Sequence, residues 1–175
     1  PCSASKASSD HLVRAWFETY QLPTIITNCS NNFGPRQHQE KFIPTVINSC
    51  LSGKNIPIYG SGENIRDWIY VEDHCLGIEL AIKNGKIGDS YCFGGDAERQ
   101  NIDIAKKICE ILDSLRPKNN GSYQEQISFV TDRKGHDFRY AIDSNKAKKE
   151  LGFNILGNFE EKLQQTINWY INYQI

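Results

Sequence analysis

Three observations predict an α/β fold for this chain: apolar stripes at helical spacing, short β-branched runs bounded by turn formers, and the alternation of the two along the sequence. Pro1 suits the first turn of a helix, and Val13, Trp16, Phe17 and Tyr20 recur at helical spacing. Residues 1–20 therefore read as an amphipathic helix that ends near Leu22-Pro23 and whose stripe must pack on something. Thr24-Ile25-Ile26-Thr27 reads as a short buried strand, and Asn31 to Pro35 as a turn. Ile43, Val46, Ile47 and Cys50 predict a helix closed by Gly53, then Ile56 to Tyr59 a strand that ends in Gly60-Ser61-Gly62.

Trp68 to Val71 is a further strand, followed by a helix whose shared face is Cys75, Ile78 and Ile82 and whose first turn carries Glu72 and Asp73. Tyr91 to Phe93 is a strand before Gly94-Gly95. Asn101 is a candidate N-cap for a helix with the stripe Ala105, Ile108, Cys109, Leu112 and Leu115, and Arg116 to Ser122 reads as a mobile linker. Ile127 to Val130 is a strand, Asp143 or Ser144 caps a helix stopped by Gly152, and Asn158 with Glu161 opens the last helix as a capping box.

With 175 residues and 39% hydrophobic composition, one domain with a sizeable core is expected. A formal charge of -1 gives no field that would favour nucleic acid or an anionic membrane. No apolar run approaches the ~18 residues of a membrane span, and no secretory leader is evident. The expected setting is the cytoplasm, with no nucleic-acid or membrane partner. The 6 cysteines include no C-x-x-C pair, so they read as buried free thiols rather than as metal ligands, and no metal is expected. Gly60-Ser61-Gly62 lacks the third glycine of a dinucleotide fingerprint, since position 65 is Ile. Asp73-His74-Cys75 is not a catalytic triad, because three consecutive helical residues point in different directions.

The chemistry is carried by Pro1-Cys2-Ser3-Ala4-Ser5-Lys6-Ala7-Ser8, Thr27-Asn28-Cys29-Ser30-Asn31-Asn32-Phe33-Gly34-Pro35, Ile65-Arg66-Asp67-Trp68 and the stretch Asp132 to Asp143. Together these resemble the second half of the dTDP-glucose 4,6-dehydratases, in the nucleotide-sugar branch of the extended short-chain dehydrogenase/reductases. The resemblance runs from Cys2 to about Tyr170. It implies the last helix and strand of a Rossmann-like NAD-binding domain over residues 1–35, then a small α/β sugar-nucleotide region over residues 36–175. It also implies that the glycine-rich NAD loop and the acid and base of elimination lie before residue 1.

Family members oxidise the sugar at C4 with bound NAD, remove water across C5 and C6, and return the hydride to C6. Their Tyr-x-x-x-Lys pair shares one helical face, where the lysine charge lowers the tyrosine pKa and also binds the nicotinamide ribose. Lys6 matches the lysine, while Cys2 occupies the tyrosine position, with a shorter side chain. The resemblance assigns Asn32 to the nicotinamide end of NAD and Asn31, Lys41 and Phe42 to the substrate. Pro57 and Tyr59 fall to the nucleobase, and Asn101 and His136 to the nucleotide or its phosphates. Arg66 and Arg133 are the candidates for the diphosphate, because a guanidinium offers a fixed fork to phosphate oxygens.

Each residue also has a plain structural reading: Asn31-Asn32 as a turn, Tyr59 in a core, Arg66 paired with Asp67, Asn101 as a cap, His136 in a turn with Gly135. The resemblance further implies a homodimer through the 1–20 helix. The expectation is a half-enzyme, inactive alone. The alternatives are a degenerate sugar-nucleotide-binding homologue and a purely structural chain.

Overall fold

A computed structural model describes residues 2–173, the side chain of Cys2 excepted, as an alternation of helices and short strands. Helix α1 (Cys2–Tyr20) leads into β1 (Ile26–Cys29) and β2 (Asn31–Phe33), followed by α2 (Phe42–Leu51), β3 (Ile56–Tyr59) and β4 (Ile65–Tyr70). Next come α3 (Val71–Asn84), β5 (Ser90–Phe93), β6 (Glu98–Gln100) and α4 (Asn101–Leu115). A 3-10 turn (Tyr123–Gln126), β7 (Ile127–Val130), β8 (Arg139–Tyr140), α5 (Asn145–Leu151) and α6 (Phe159–Tyr173) complete it. The α/β class read from the sequence is the class observed.

Strand β4 organises the molecule. It pairs parallel with β2 and β8 and antiparallel with β6, while β1 pairs parallel with β5 and β3 with β7. Its residues from Arg66 to Tyr70 are buried, on both faces, and its apolar side chains divide between two cores. Trp68 and Tyr70 join Phe33, Ile47, Ile108, Leu112 and Ile167 beneath α2, α4 and α6. Ile69 joins Tyr91, Phe93, Leu151 and Phe153 beneath α3 and α5. Between β1 and β2 stands a single residue, Ser30, at which the chain changes pairing partner from β5 to β4.

Several local expectations are corrected. The first strand begins at Ile26 rather than Thr24, and Asn31-Asn32-Phe33 is a strand, because pairing with Trp68-Ile69-Tyr70 overrides the turn preference of asparagine. On α3 the buried positions are Asp73, Gly77 and Ala81, whereas Ile82 is 77% exposed and Cys75 is exposed. Gly77 lies flat against Phe93, where a Cβ would sit 2.7 Å from Cδ1, so the small face approaches the sheet. Of the described cysteines only Cys50 and Cys109 are buried, and Cys29 and Cys92 are half-buried.

On α1, Val13 and Phe17 are half-buried, but Leu12, Trp16 and Tyr20 are exposed on a second stripe. Helix α4 starts at Asn101 with Gln100 at its cap and no side-chain capping bond. The Asn158 cap is observed, its Oδ1 accepting from Glu161 N at 2.9 Å, and Asp143 Oδ1 accepts from Asn145 N at 2.8 Å. The expected mobile linker is stitched: Asp113 accepts from Ser122 Oγ and Tyr123 N, and the Tyr123 hydroxyl donates to Arg116 O.

Candidate functional site

The cationic candidates meet beside β4. The stretch 131–138 runs past the end of β3, and Arg66 ties it down: Nη1 donates to Ile65 O at 2.6 Å and to Phe138 O at 3.5 Å, and Nη2 to Asp137 O at 2.7 Å. Ile65 N also donates to Phe138 O and the Asn64 amide to Asp137 O. Burial pulls the Arg66 pKa below its ordinary value, opposed by the nearby Asp137 and reinforced by Arg133, with Asp132 also opposing. Arg66 is thus first a clamp on backbone carbonyls. It does not pair with Asp67, whose carboxylate faces the other way and accepts from Gly95 N and Ala97 N.

Tyr59, at the end of β3, is half open to solvent and forms the floor of this cluster. The Arg133 guanidinium lies 5.4 Å over its ring, and the His136 ring meets it edge-on at 6.4 Å. His136 Nδ1 is 2.6 Å from Asp132 Oδ1, and this hydrogen bond holds the Asp132 carboxyl below the usual carboxylate range. Tyr59 is therefore not a core residue. Pro57 is on the same side of β3, two residues earlier, between the buried Ile56 and Ile58. Asn101 follows directly on the strand that pairs with Ile65 and Arg66, its N–H donating to Asn64 O.

The pleat separates the two asparagines. Asn31 is in register with Trp68 and so shares a face of the sheet with Arg66, about 7 Å along the strand. Phe42, at the start of α2, packs on the Trp68 ring at 6.2 Å, and the exposed Lys41 precedes it. Asn32 is in register with Ile69 and faces α3. Its Nδ2 donates to Cys29 Sγ at 3.2 Å and Ser30 O at 3.4 Å, its Oδ1 lies 3.1 Å from His74 Nδ1, and its carbonyl accepts from Gln37 Nε2 at 2.7 Å. The Lys6 charge acts on Cys29, where burial raises the thiol pKa and both the Asn32 bond and Lys6 lower it. The Cys2 side chain lies outside the described residues.

His74 was missed in the sequence. The structure supplies the reason: α3 begins directly after β4, and its first turn faces the strand beside β4, which carries Asn32. Asp73, His74 and Cys75 do diverge, for Asp73 is buried and accepts from Leu156 N while Cys75 is exposed. Among the described residues no group of three or more His, Cys, Asp or Glu could hold a metal ion, and no helix is long and apolar enough to cross a membrane. Two concavities lie away from the candidates: one of about 20 Å³ between Trp68, Asp73 and Phe159, and a groove of about 370 Å³ between Glu98, Arg139 and Lys148.

The sheet-switching loop with one amide on each face, next to a cationic strap, sits in a fold shared with Rossmann-like dehydratases and epimerases. The model of the GDP-mannose 4,6 dehydratase family matches residues 1–166, and the chain belongs to that family. It is 54% identical over 171 residues to the dTDP-glucose 4,6-dehydratase of Salmonella typhimurium, covering 98% of this chain and 47% of that protein. It is 51% identical over 175 residues to the same enzyme of Xanthomonas campestris, covering 99% of this chain and 50% of the relative.

Among solved structures, the dTDP-glucose 4,6-dehydratase of Bacillus anthracis in complex with NAD superposes with a TM-score of 0.89 at 41% identity, over 99% of this chain and 53% of that one. A UDP-glucose 4-epimerase of Thermotoga maritima, at 23% identity and a TM-score of 0.87 over 98% of this chain and 53% of that one, shares the fold. The chain thus spans about half the length of the relatives it matches, and it corresponds to their C-terminal half.

Proposed function

We propose that the chain is the C-terminal, sugar-nucleotide-binding half of an NAD-dependent dTDP-glucose 4,6-dehydratase, active only when an N-terminal half is joined to it or complements it. NAD, held on this chain's side by Asn32 and Lys6, would supply the reversible hydride transfer that the oxidation at C4 and the reduction at C6 require, on either side of the loss of water across C5 and C6. The chain's own residues bind and orient. Tyr59, Arg133 and His136, with Arg66, Pro57 and Asn101, take the nucleotide and its phosphates. Asn31, Lys41 and Phe42 take the sugar side.

Asn32 and Lys6 serve the NAD side, and the structure supports the fit: the amide faces away from the arginines, and Lys6 acts on the same Cys29 to which that amide donates. Residues 1–35 then belong to the NAD-binding domain and residues 36–175 to the substrate region. A second copy packing on Leu12, Trp16 and Tyr20 of α1, each at least 49% exposed, belongs to the same reading. So does a cytoplasmic setting, supported by the free thiols.

The observation that carries the proposal is the meeting of Tyr59, Arg66, Arg133 and His136, from three separate segments, at one place. Calorimetry with dTDP and dTDP-glucose tests it. Binding that Arg133→Ala weakens about tenfold is expected, the order of one charge-assisted contact. No affinity for either nucleotide would sink the reading, and turnover of dTDP-glucose by the chain alone with NAD would sink the requirement for the other half. Cys2 at the family's tyrosine position favours a second reading, a binding homologue without catalysis. That reading is discriminated by complementing the chain with the N-terminal half of the Salmonella enzyme and comparing it with Cys2→Tyr.

A further inference from the structure

The geometry points to His74 as a positioning residue: it fixes the carboxamide of Asn32 so that the amide nitrogen is held toward Cys29 and the β1–β2 link. The inference deepens the assignment of Asn32 to the cofactor side and rests on it. The direction of the amide follows from Ser30 O, which can only accept, so the atom 3.4 Å from it is the nitrogen. Asn32 Oδ1 then faces His74 Nδ1 at 3.1 Å, and an oxygen acceptor requires that Nδ1 carry the proton. On the other side the amide donates to Cys29 Sγ at 3.2 Å. The Asn32 main chain is pinned as well, by Gln37 Nε2 at 2.7 Å and by the β2–β4 pairing, so the remaining freedom of Asn32 is the rotation that His74 removes.

His74 is suited to a static role. It is half-buried, its ring lies 6.1 Å from that of Phe93, and burial holds its pKa below the ordinary value, so the imidazole is neutral at neutral pH. Among the described residues, the polar and charged groups that act on Cys29 are Lys6 from α1 and the Asn32 amide from β2, and the apolar Phe93 stands in register on β5. The reactivity of the Cys29 thiol therefore reports where the Asn32 amide points, because a donated hydrogen bond favours the thiolate.

The test is peptide-resolved alkylation of Cys29 by iodoacetamide as a function of pH, in the unaltered chain and in His74→Phe, His74→Asn, Asn32→Ala and the His74→Phe/Asn32→Ala pair. Phenylalanine keeps the packing on Phe93 and loses the donor, while asparagine keeps a donor near the Nδ1 position and loses the ring. A positioning role slows Cys29 alkylation at pH 7.5 about threefold to tenfold in His74→Phe, the loss expected for one hydrogen bond to a thiolate. The pH midpoint moves upward, His74→Asn retains the original profile, and the double variant matches Asn32→Ala.

A packing role gives the reverse order, with His74→Phe neutral and His74→Asn impaired, and either that order or full additivity in the pair overturns the inference. Nitrogen chemical shifts of His74 in the unaltered chain supply a check that needs no variant: an Nδ1-protonated ring supports it, and an Nε2-protonated ring overturns it. Neither readout involves NAD, so the positioning role and the cofactor assignment fail separately.

Discussion

Replacing Asp67 by alanine should be among the most damaging changes available at a single polar position. Asp67 is 2% exposed, and its two carboxylate oxygens accept from Gly95 N at 2.9 Å and Ala97 N at 2.8 Å. Removing it leaves two backbone donors without partners, in a loop so close to β4 that a Cβ at Gly95 would overlap the Trp68 carbonyl oxygen. Each lost donor costs roughly 1–3 kcal/mol, so about 3–5 kcal/mol is expected, a large part of the ~5–15 kcal/mol that holds a domain folded.

With a urea slope of ~2 kcal/mol per M, the unfolding midpoint followed by tryptophan fluorescence should fall by about 1.5–2.5 M. Asp67→Asn should fall in between, since one oxygen still accepts while the new NH₂ opposes the second N–H. A midpoint for Asp67→Ala within ~0.3 M of the parent, well inside one hydrogen bond's worth, would refute the reasoning that the carboxylate holds this loop.

Arg66→Lys should loosen residues 137–138, because a single ammonium cannot reproduce a fork donating to Ile65, Phe138 and Asp137 carbonyls at once; faster tryptic cleavage after Arg133 or Lys134 would register it. Gly77→Ala should destabilise by about 1–3 kcal/mol despite alanine's better helix propensity, as its methyl would press on Phe93, and thermal melting would show this. Burial raises the Asp73 pKa in the folded state, while the bond from Leu156 N and the charge of Lys162 oppose the rise. Relative to Asp73→Asn, the parent should therefore lose stability as pH rises from the ordinary carboxylate range through the folded-state value. Urea midpoints of the two proteins that stay parallel across that range would count against it.

The helices and the strands Ile56 to Tyr59, Ile127 to Val130 and Tyr91 to Phe93 were legible because local periodicity and flanking glycines specify them. Most of the misreadings share one cause, contacts decided from a distance. Asn31-Asn32-Phe33 carries turn formers and becomes a strand only because β4 lies beside it, and the two-residue β8 is an edge strand placed by β4 and Arg66. On α3 a period of apolar residues pointed to Ile82, whereas contact with Phe93 selected the glycine face.

The candidate site was legible as a set of residue types, and its internal division was not. That Asn31 and Asn32 serve opposite faces follows once β2 is known to be extended, since neighbouring side chains in a strand diverge. The tie from His74 to Asn32 spans 42 positions and leaves no local trace in the sequence.

The single residue at position 30 has a mechanical consequence. Ser30 is followed at once by a pairing with β4 and preceded at once by a pairing with β5, and its own N–H is engaged by Phe93 O. One residue leaves little slack between the pairing with β5 and the pairing with β4. The 131–138 strap beside β4 is fastened differently, by side-chain and main-chain donors together: the Arg66 guanidinium, the Asn64 amide and the Ile65 N–H.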